Sequence, residues 1–318
     1  MGSQHKENNV QTLNNIIVVV LNTSLWSGRK KLRAEDLAAN GIEVDKLPPG
    51  TLASLGTKRI IAPEALNPFI ALKKEAERIC LAKGIRFLGG YAIPKEGIDS
   101  LAEDLKDIKR RFIEAKDTLL SNYDKEINKW ISENPPEWAA VIRAAVEPAS
   151  TIDAAMHFNF APIAVGSPEG MEDKNEGLDE EANGMLAQLY HEIRLHAKTA
   201  YEASLVGKKE VTRKALRPAA AIRDKLQGLA FLDPEIAVTI QAINEVLEIL
   251  VKVSPITGSN LDMLAGLLGR RLANIGRPYT EDETEEAVEE IQDGNIEEFI
   301  AEIIPQQQTA PAPLTYDF

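Results

Sequence analysis

The sequence predicts a mainly α protein: a long antiparallel coiled-coil helical hairpin plus a helical bundle, with a small minor β-sheet. Three observations predict it. Ala, Leu, Ile, Glu and Lys dominate while aromatic residues make up only 5% of 318 residues, a composition that leans towards helix. Two long stretches carry apolar residues at alternating spacings of three and four, the spacing of a helix seam. A few short β-branched runs, cut by Gly and Pro, are left over for strands.

Residues 1–12 are polar and read as a flexible N-terminus, and 13–94 as an N-terminal α+β part. Ile16–Leu21 is continuous, β-branched and too short for a helix, so it reads as a buried strand. Pro48, Pro49, Gly50 and Gly56 mark loop structure, and a helix runs from about Pro63 to Lys83, stopped by Gly84. Ile85–Ile93 reads as strand, Gly89–Gly90 turn, strand. Cys80 lies on the helix with no His near it in sequence, so a buried, unreactive thiol is expected.

Residues 95–206 read as the long hairpin with a strand-like insert. Its first helix, about 95–133, places Ile98, Leu101, Leu105, Ile108, Phe112, Ala115 and Leu119 on one seam. The seam continues through Tyr123, Ile127 and Trp130, and the extra four-residue step predicts local unwinding there. A straight helix of that length spans roughly 55 to 60 Å. Pro135–Pro136 ends it. The insert is His157–Val165, which Pro162 demotes to an edge or an irregular segment. The second helix, about 178–206, has its seam at Ala182, Leu186, Leu189, Ile193, His196, Ala200 and Ala203.

Residues 207–278 read as a helical bundle. Asp233 before Pro234 is a helix start, followed by Ile236, Ile240, Ile243, Leu247 and Leu250. A last helix carries Leu261, Leu264, Leu267, Leu268 and Leu272 before Gly276 and Pro278. Residues 279–304 read as an acidic helical segment and 305–318, rich in Pro and Gln, as a disordered tail.

Charge is localised. The net charge is −13, yet Thr280–Phe318 holds 12 acidic residues and no Lys or Arg, leaving 37 acids against 36 bases in the first 279 residues. A uniformly nucleic-acid-binding surface is not written this way. The acidic segment has two open readings: a solvated helix, or a docking helix for a basic surface through Glu285, Glu286, Glu289 and Glu290. The single cysteine and the lack of a signal-like or membrane-spanning stretch lead to the expectation of a cytoplasmic protein without membrane attachment.

Motifs for chemistry are few. His191 and His196 are five apart, not four, so one straight helix turns the rings roughly 140° from each other. A solvated His191 and a partly buried His196 follow, rather than a metal pair. No phosphate loop, nucleophile elbow or kinase signature is present, so no catalytic, cofactor-binding or metal residue is assigned and a non-catalytic protein is expected. Among the basic clusters, Arg29, Lys30, Lys31 and Arg33 stand beside Trp26 and Gly28 and form the candidate partner-binding site. Lys109–Arg111, and Arg213, Lys214, Arg217, Arg223 and Lys225, read as solvated faces or local ion pairs.

Several stretches together carry a resemblance: Leu25–Arg33, Leu55–Lys58, Gly84–Pro94 and Ile222–Pro234. The chain resembles, over about residues 15–275, the bacterial and phage family called domain of unknown function 3150. That family has no assigned activity and supplies no catalytic residues. The resemblance implies a mobile-element or phage context, often beside a MoxR-type AAA+ ATPase and a von Willebrand A protein. The expected function is therefore a non-catalytic helical adaptor or structural protein, with those two as partners. The alternative is a nucleic-acid-associated accessory protein of a phage or mobile element. Self-association stays open.

Overall fold

The computed structural model describes residues 12–38, 40–41, 43–44, 47–166 and 176–277. Residues 1–11, the acidic segment with Glu285, Glu286, Glu289 and Glu290, and the tail lie outside the described residues. In chain order the elements begin with β1 (Ile16–Ser24), β2 (Arg29–Lys31), α1 (Ala34–Ala38), β3 (Thr57–Arg59), α2 (Asn67–Lys83), β4 (Ile85–Phe87) and β5 (Gly90–Pro94). Next come α3 (Ile98–Ser121), α4 (Tyr123–Glu133), α5 (Ala139–Arg143), α6 (Ala149–Ala155), β6 (His157–Ile163) and α7 (Glu176–Ser204). The last are β7 (Glu210–Val211), α8 (Arg217–Gly228), α9 (Glu235–Leu250), β8 (Ile256–Thr257) and α10 (Gly258–Gly266), then a π-helical turn at Leu267–Arg271 and a 3-10 turn at Leu272–Asn274. The protein is mainly helical with a small antiparallel sheet, as the composition predicts.

The described residues form two compact units, each built from separate stretches: 12–17, 82–97, 164–166 and 176–277 in the first, and those within 18–81 and 98–163 in the second. In the second unit β1 pairs antiparallel with β6, from Val18 opposite Ile163 to Ser24 opposite His157. Pro162 sits opposite Val19 in this ladder, and β6 is an edge strand, the first of the two alternatives that its proline leaves open. The aromatic centre is Phe112, 5.1 Å edge-on from Phe69 of α2 and 5.9 Å from Phe158 of β6. Cys80 is fully buried on α2. The expected 95–133 helix is two helices. It breaks at Asn122 (φ −105°, ψ 6°), where the apolar spacing lengthens, and burial resumes at Tyr123, Ile127 and Ile131 rather than at Trp130. The stripe of α3 is covered by β6 and α6. Lys116 fixes the latter contact by donating to the carbonyls of Asp153 and Met156 at 2.8 and 2.9 Å, at the C-terminal end of α6.

In the first unit β4 and β5 form a hairpin with Ile85 opposite Ala92 and Phe87 opposite Gly90. The turn residues are Leu88 (φ +48°) and Gly89 (φ +73°), not the Gly89–Gly90 pair that the sequence suggests. Two positive φ values in a two-residue loop match the twist of the strands they join. The helix α7 packs on β4, α8 and the C-terminal turns. Its buried residues include Met185, Leu189, Tyr190, Glu192, Ile193, His196, Ala197 and Ala200, while Ala203 of the expected seam is exposed. That arc is wider than a two-in-seven seam because the helix is covered from several sides. Each long helix therefore finds cover for its stripe inside its own unit.

Candidate functional site

The basic cluster folds as a two-stranded ribbon. β2 pairs antiparallel with β3, setting Arg29 opposite Arg59, Lys30 opposite Lys58 and Lys31 opposite Thr57. Side chains alternate between the two faces of a strand. Arg29, Lys31 and Arg59 are exposed on one face, while Lys30 and Lys58 lie on the other and are less exposed. The ribbon is closed at one end by Leu32 N–H donating to Gly56 O (3.0 Å) and at the other by Ile60 N–H donating to Gly28 O (2.9 Å).

The inner face explains why the loop has this sequence. Trp26 is buried and its Nε1 donates to Glu147 Oε2 at 3.2 Å, while its ring meets Tyr123 edge-on at 5.9 Å. Lys30 pairs with Oε1 of the same Glu147. Lys58 pairs with Asp36 at 2.5 Å. Burial by itself raises the pKa of Asp36, but the Lys58 contact and the Arg33 N–H, at 2.8 Å, together hold it below the usual carboxylate range. Gly28 has φ +63°, and a Cβ there would come within 2.8 Å of Ile61 Cγ2, so the chain enters β2 only through glycine.

Of the residues singled out in sequence, the structure thus brings Arg29, Lys31 and Arg33 to the exposed side. It uses Trp26, Gly28 and Lys30 to hold the ribbon down. Lys58, Arg59, Asp36 and Glu147 were not foreseen. Glu147 is 117 residues from Lys30 and nothing in its neighbourhood marks it. The signal that could have found Lys58 and Arg59 is the Gly56 turn before a β-branched, basic triplet, Thr57–Arg59.

Of the other clusters, Lys109–Arg111 is largely engaged internally, and in the third Arg223 and Lys225 are paired while Arg213, Lys214 and Arg217 are exposed. Arg110 pairs with Asp107 and Glu114, and Arg111 with Glu75 and Asp107, so Lys109–Arg111 consists largely of local ion pairs. Lys225 is buried and pairs with buried Glu192 at 2.5 Å, while Gln188 donates to the other oxygen of Glu192 at 3.0 Å. One turn along α7, His196 is buried with no hydrogen-bond partner at Nε2. Burial, with the Lys225 charge second, lowers its pKa to about 4. His191 is half-buried, and among the described residues no His, Cys, Asp and Glu group is arranged to hold a metal ion. No described helix is long and apolar enough to cross a membrane.

Fold and ribbon define a mainly helical protein with a small antiparallel sheet and a two-stranded ribbon that is cationic on its exposed face. The chain belongs to the family described as protein of unknown function (DUF3150), whose model matches residues 13–272. No curated protein and no solved structure matches it.

Proposed function

We propose that the protein is a non-catalytic adaptor that docks a carboxylate-rich surface of a protein partner on the Arg29–Lys31–Arg59 face. The observation that carries this is the register of Arg29 opposite Arg59. Like charges directly opposite each other on a ribbon are destabilising unless neutralised. Glu147 and Asp36 neutralise the inner Lys30–Lys58 pair, whereas no described carboxylate pairs with Arg29 or Arg59. An incoming anion completes the outer face, and arginine offers it a bidentate fork.

The family context favours a MoxR-type AAA+ ATPase and a von Willebrand A protein as the partners, in a phage or mobile-element setting. A reducing cytoplasm suits the single buried Cys80. A coiled-coil hairpin acting as a rigid arm would add reach. The three-and-four spacing supports it, but the reading does not depend on it, because both stripes are covered within their units.

Nucleic acid is the second reading, since an arginine fork also fits phosphate. The near-neutral body favours the protein partner. The test is a pull-down of the ATPase and the von Willebrand A protein by the intact chain and by R29E/K31E/R59E. Loss of capture by a variant with unchanged circular dichroism supports the docking face, and equal capture refutes it. Binding of a DNA duplex instead, with a steep fall in log affinity against log salt, would establish the second reading.

A further inference from the structure

Hydrogen-bond parity in the β2–β3 ribbon leaves one strand edge open. Ile60 N–H donates to Gly28 O and Leu32 N–H to Gly56 O, so Gly28 faces Ile60 and Leu32 faces Gly56 as hydrogen-bonded pairs. Bonded and non-bonded pairs alternate along an antiparallel ladder. Arg29 opposite Arg59 and Lys31 opposite Thr57 are therefore non-bonded pairs, and the N–H and C=O groups of these four residues point away from the ribbon's midline. On the β3 side, Arg59 O accepts from Trp130 Nε1 at 3.2 Å. On the β2 side, Arg29 N–H turns back to Ser27 Oγ at 3.3 Å. The Arg29 C=O and the N–H and C=O of Lys31 have no partner among the described residues. Both residues are exposed, and no described strand lies beyond β2.

We infer that the β2 edge takes an extended acidic segment of a protein partner as a third strand, with carboxylates at every second position. The assignment rests on the docking reading proposed above and deepens it by giving the partner's conformation and charge pattern. The Arg29 and Lys31 carbonyls accept from the added strand and the Lys31 N–H donates to it, whichever way that strand runs. Main-chain bonds of this kind supply affinity, and the spacing of the side chains supplies specificity.

The charge pattern follows from the register. Side chains directly beside one another on adjacent strands share a face. Partner residues beside Arg29 and Lys31 thus stand on the exposed face, about 5 Å across from those strand positions. A carboxylate beside Arg29 also offsets the like charge of Arg29 and Arg59, which no described carboxylate relieves. The partner residue between them falls on the inner face beside Lys30, whose charge Glu147 already neutralises. The complementary sequence is therefore acid, any residue, acid, and not a block of acids. A second copy of this chain does not fit the edge, because pairing β2 with β2 sets Arg29 and Lys31 of both copies side by side.

The test uses the intact chain, 15N-labelled, and a short synthetic peptide in which glutamate alternates with threonine. Titration is expected to shift the Lys31 amide resonance and slow its hydrogen exchange. An isomer of the same composition with its glutamates contiguous should bind several-fold more weakly. N-methylation removes donors from the peptide without changing its charge. Methylating alternate residues in one phase should weaken binding by at least ~10-fold, for two lost hydrogen bonds, while the other phase leaves it unchanged. Equal affinity of all these peptides, still abolished by R29E/K31E/R59E, would overturn strand addition and leave the carboxylate-docking face standing. Discrimination among the peptides without capture of the ATPase or the von Willebrand A protein would support strand addition and remove the adaptor reading. Binding by none of the peptides would overturn the inference. So would Lys31 amide protection that grows with protein concentration in the absence of peptide, which would give the edge to a second copy.

Discussion

The buried residues that decide most are Glu192, Lys225 and His196. Removing one member of a buried ion pair leaves an uncompensated charge at a cost of about 3–5 kcal/mol, whereas replacing both with apolar groups of similar size is often neutral. Lys225→Met should therefore lower the urea midpoint sharply, and E192L/K225M should recover most of the loss. If the double variant is as unstable as the sum of the two single ones, the pair is not a closed unit. His196 gives a pH dependence whose sign is fixed. Its folded pKa, about 4, lies below the ordinary value of 6.5, so the unfolded chain takes up the proton first. The neutral ring costs nothing above pH 6.5. Stability then falls as pH drops towards 4 and levels off below it, with about 2 kcal/mol already lost by pH 5. His196→Leu should abolish this part of the decline in urea titrations at pH 7.5 and 5. An unchanged difference between the two pH values would place the dependence elsewhere.

Among elements, the β4–β5 turn is the clearest case of a local rule broken. Leu88 adopts φ +48° and is 49% exposed, so it bears left-handed strain without a packing reward. Leu88→Asn places the residue preferred there in a two-residue turn of this kind, and should raise the unfolding midpoint by an amount equivalent to about 0.5–1 kcal/mol. A lower midpoint would mean that the leucine side chain has a contact worth more than the strain. The turn also shows what the sequence conceals. Gly89–Gly90 looks like the pair with free φ, yet Gly90 is strand and the leucine turns, because the register is set by Ile85 and Phe87 facing inward. Periodicity was legible where a helix buries one face, as along α3, and its lengthened step even marked the break at Asn122. The wide buried arc of α7 was not legible, because cover from several elements leaves a pattern that a narrow seam does not describe. In the ribbon, basic residues and Gly28 stood out in sequence. Which cations are spent inward could not be read, since Glu147 and Asp36 are fixed by tertiary pairing and not by spacing.

At the scale of the whole molecule, the two units are interleaved along the chain, and two of the four hand-over points fall inside regular structure. The first lies within β1, between Ile17 and Val18, and the second within α2, between Leu81 and Ala82. Reading segments in order gives no hint of this, since domain boundaries are ordinarily sought in polar linkers. The consequence is thermodynamic. If the second unit unfolds, it must fray a strand and a helix whose other ends belong to the first, so at these two crossings unfolding meets no element boundary at which to stop. Phe112 is the centre of the second unit, 1% exposed between Phe69 and Phe158. Truncating such a side chain costs about 3–5 kcal/mol. Phe112→Ala should therefore shift one cooperative calorimetric transition to lower temperature, with amides of α7 in the first unit losing protection together with those of α2 in the second. Two resolved transitions, with α7 protected while α2 exchanges, would show that the shared strand and helix do not couple the units.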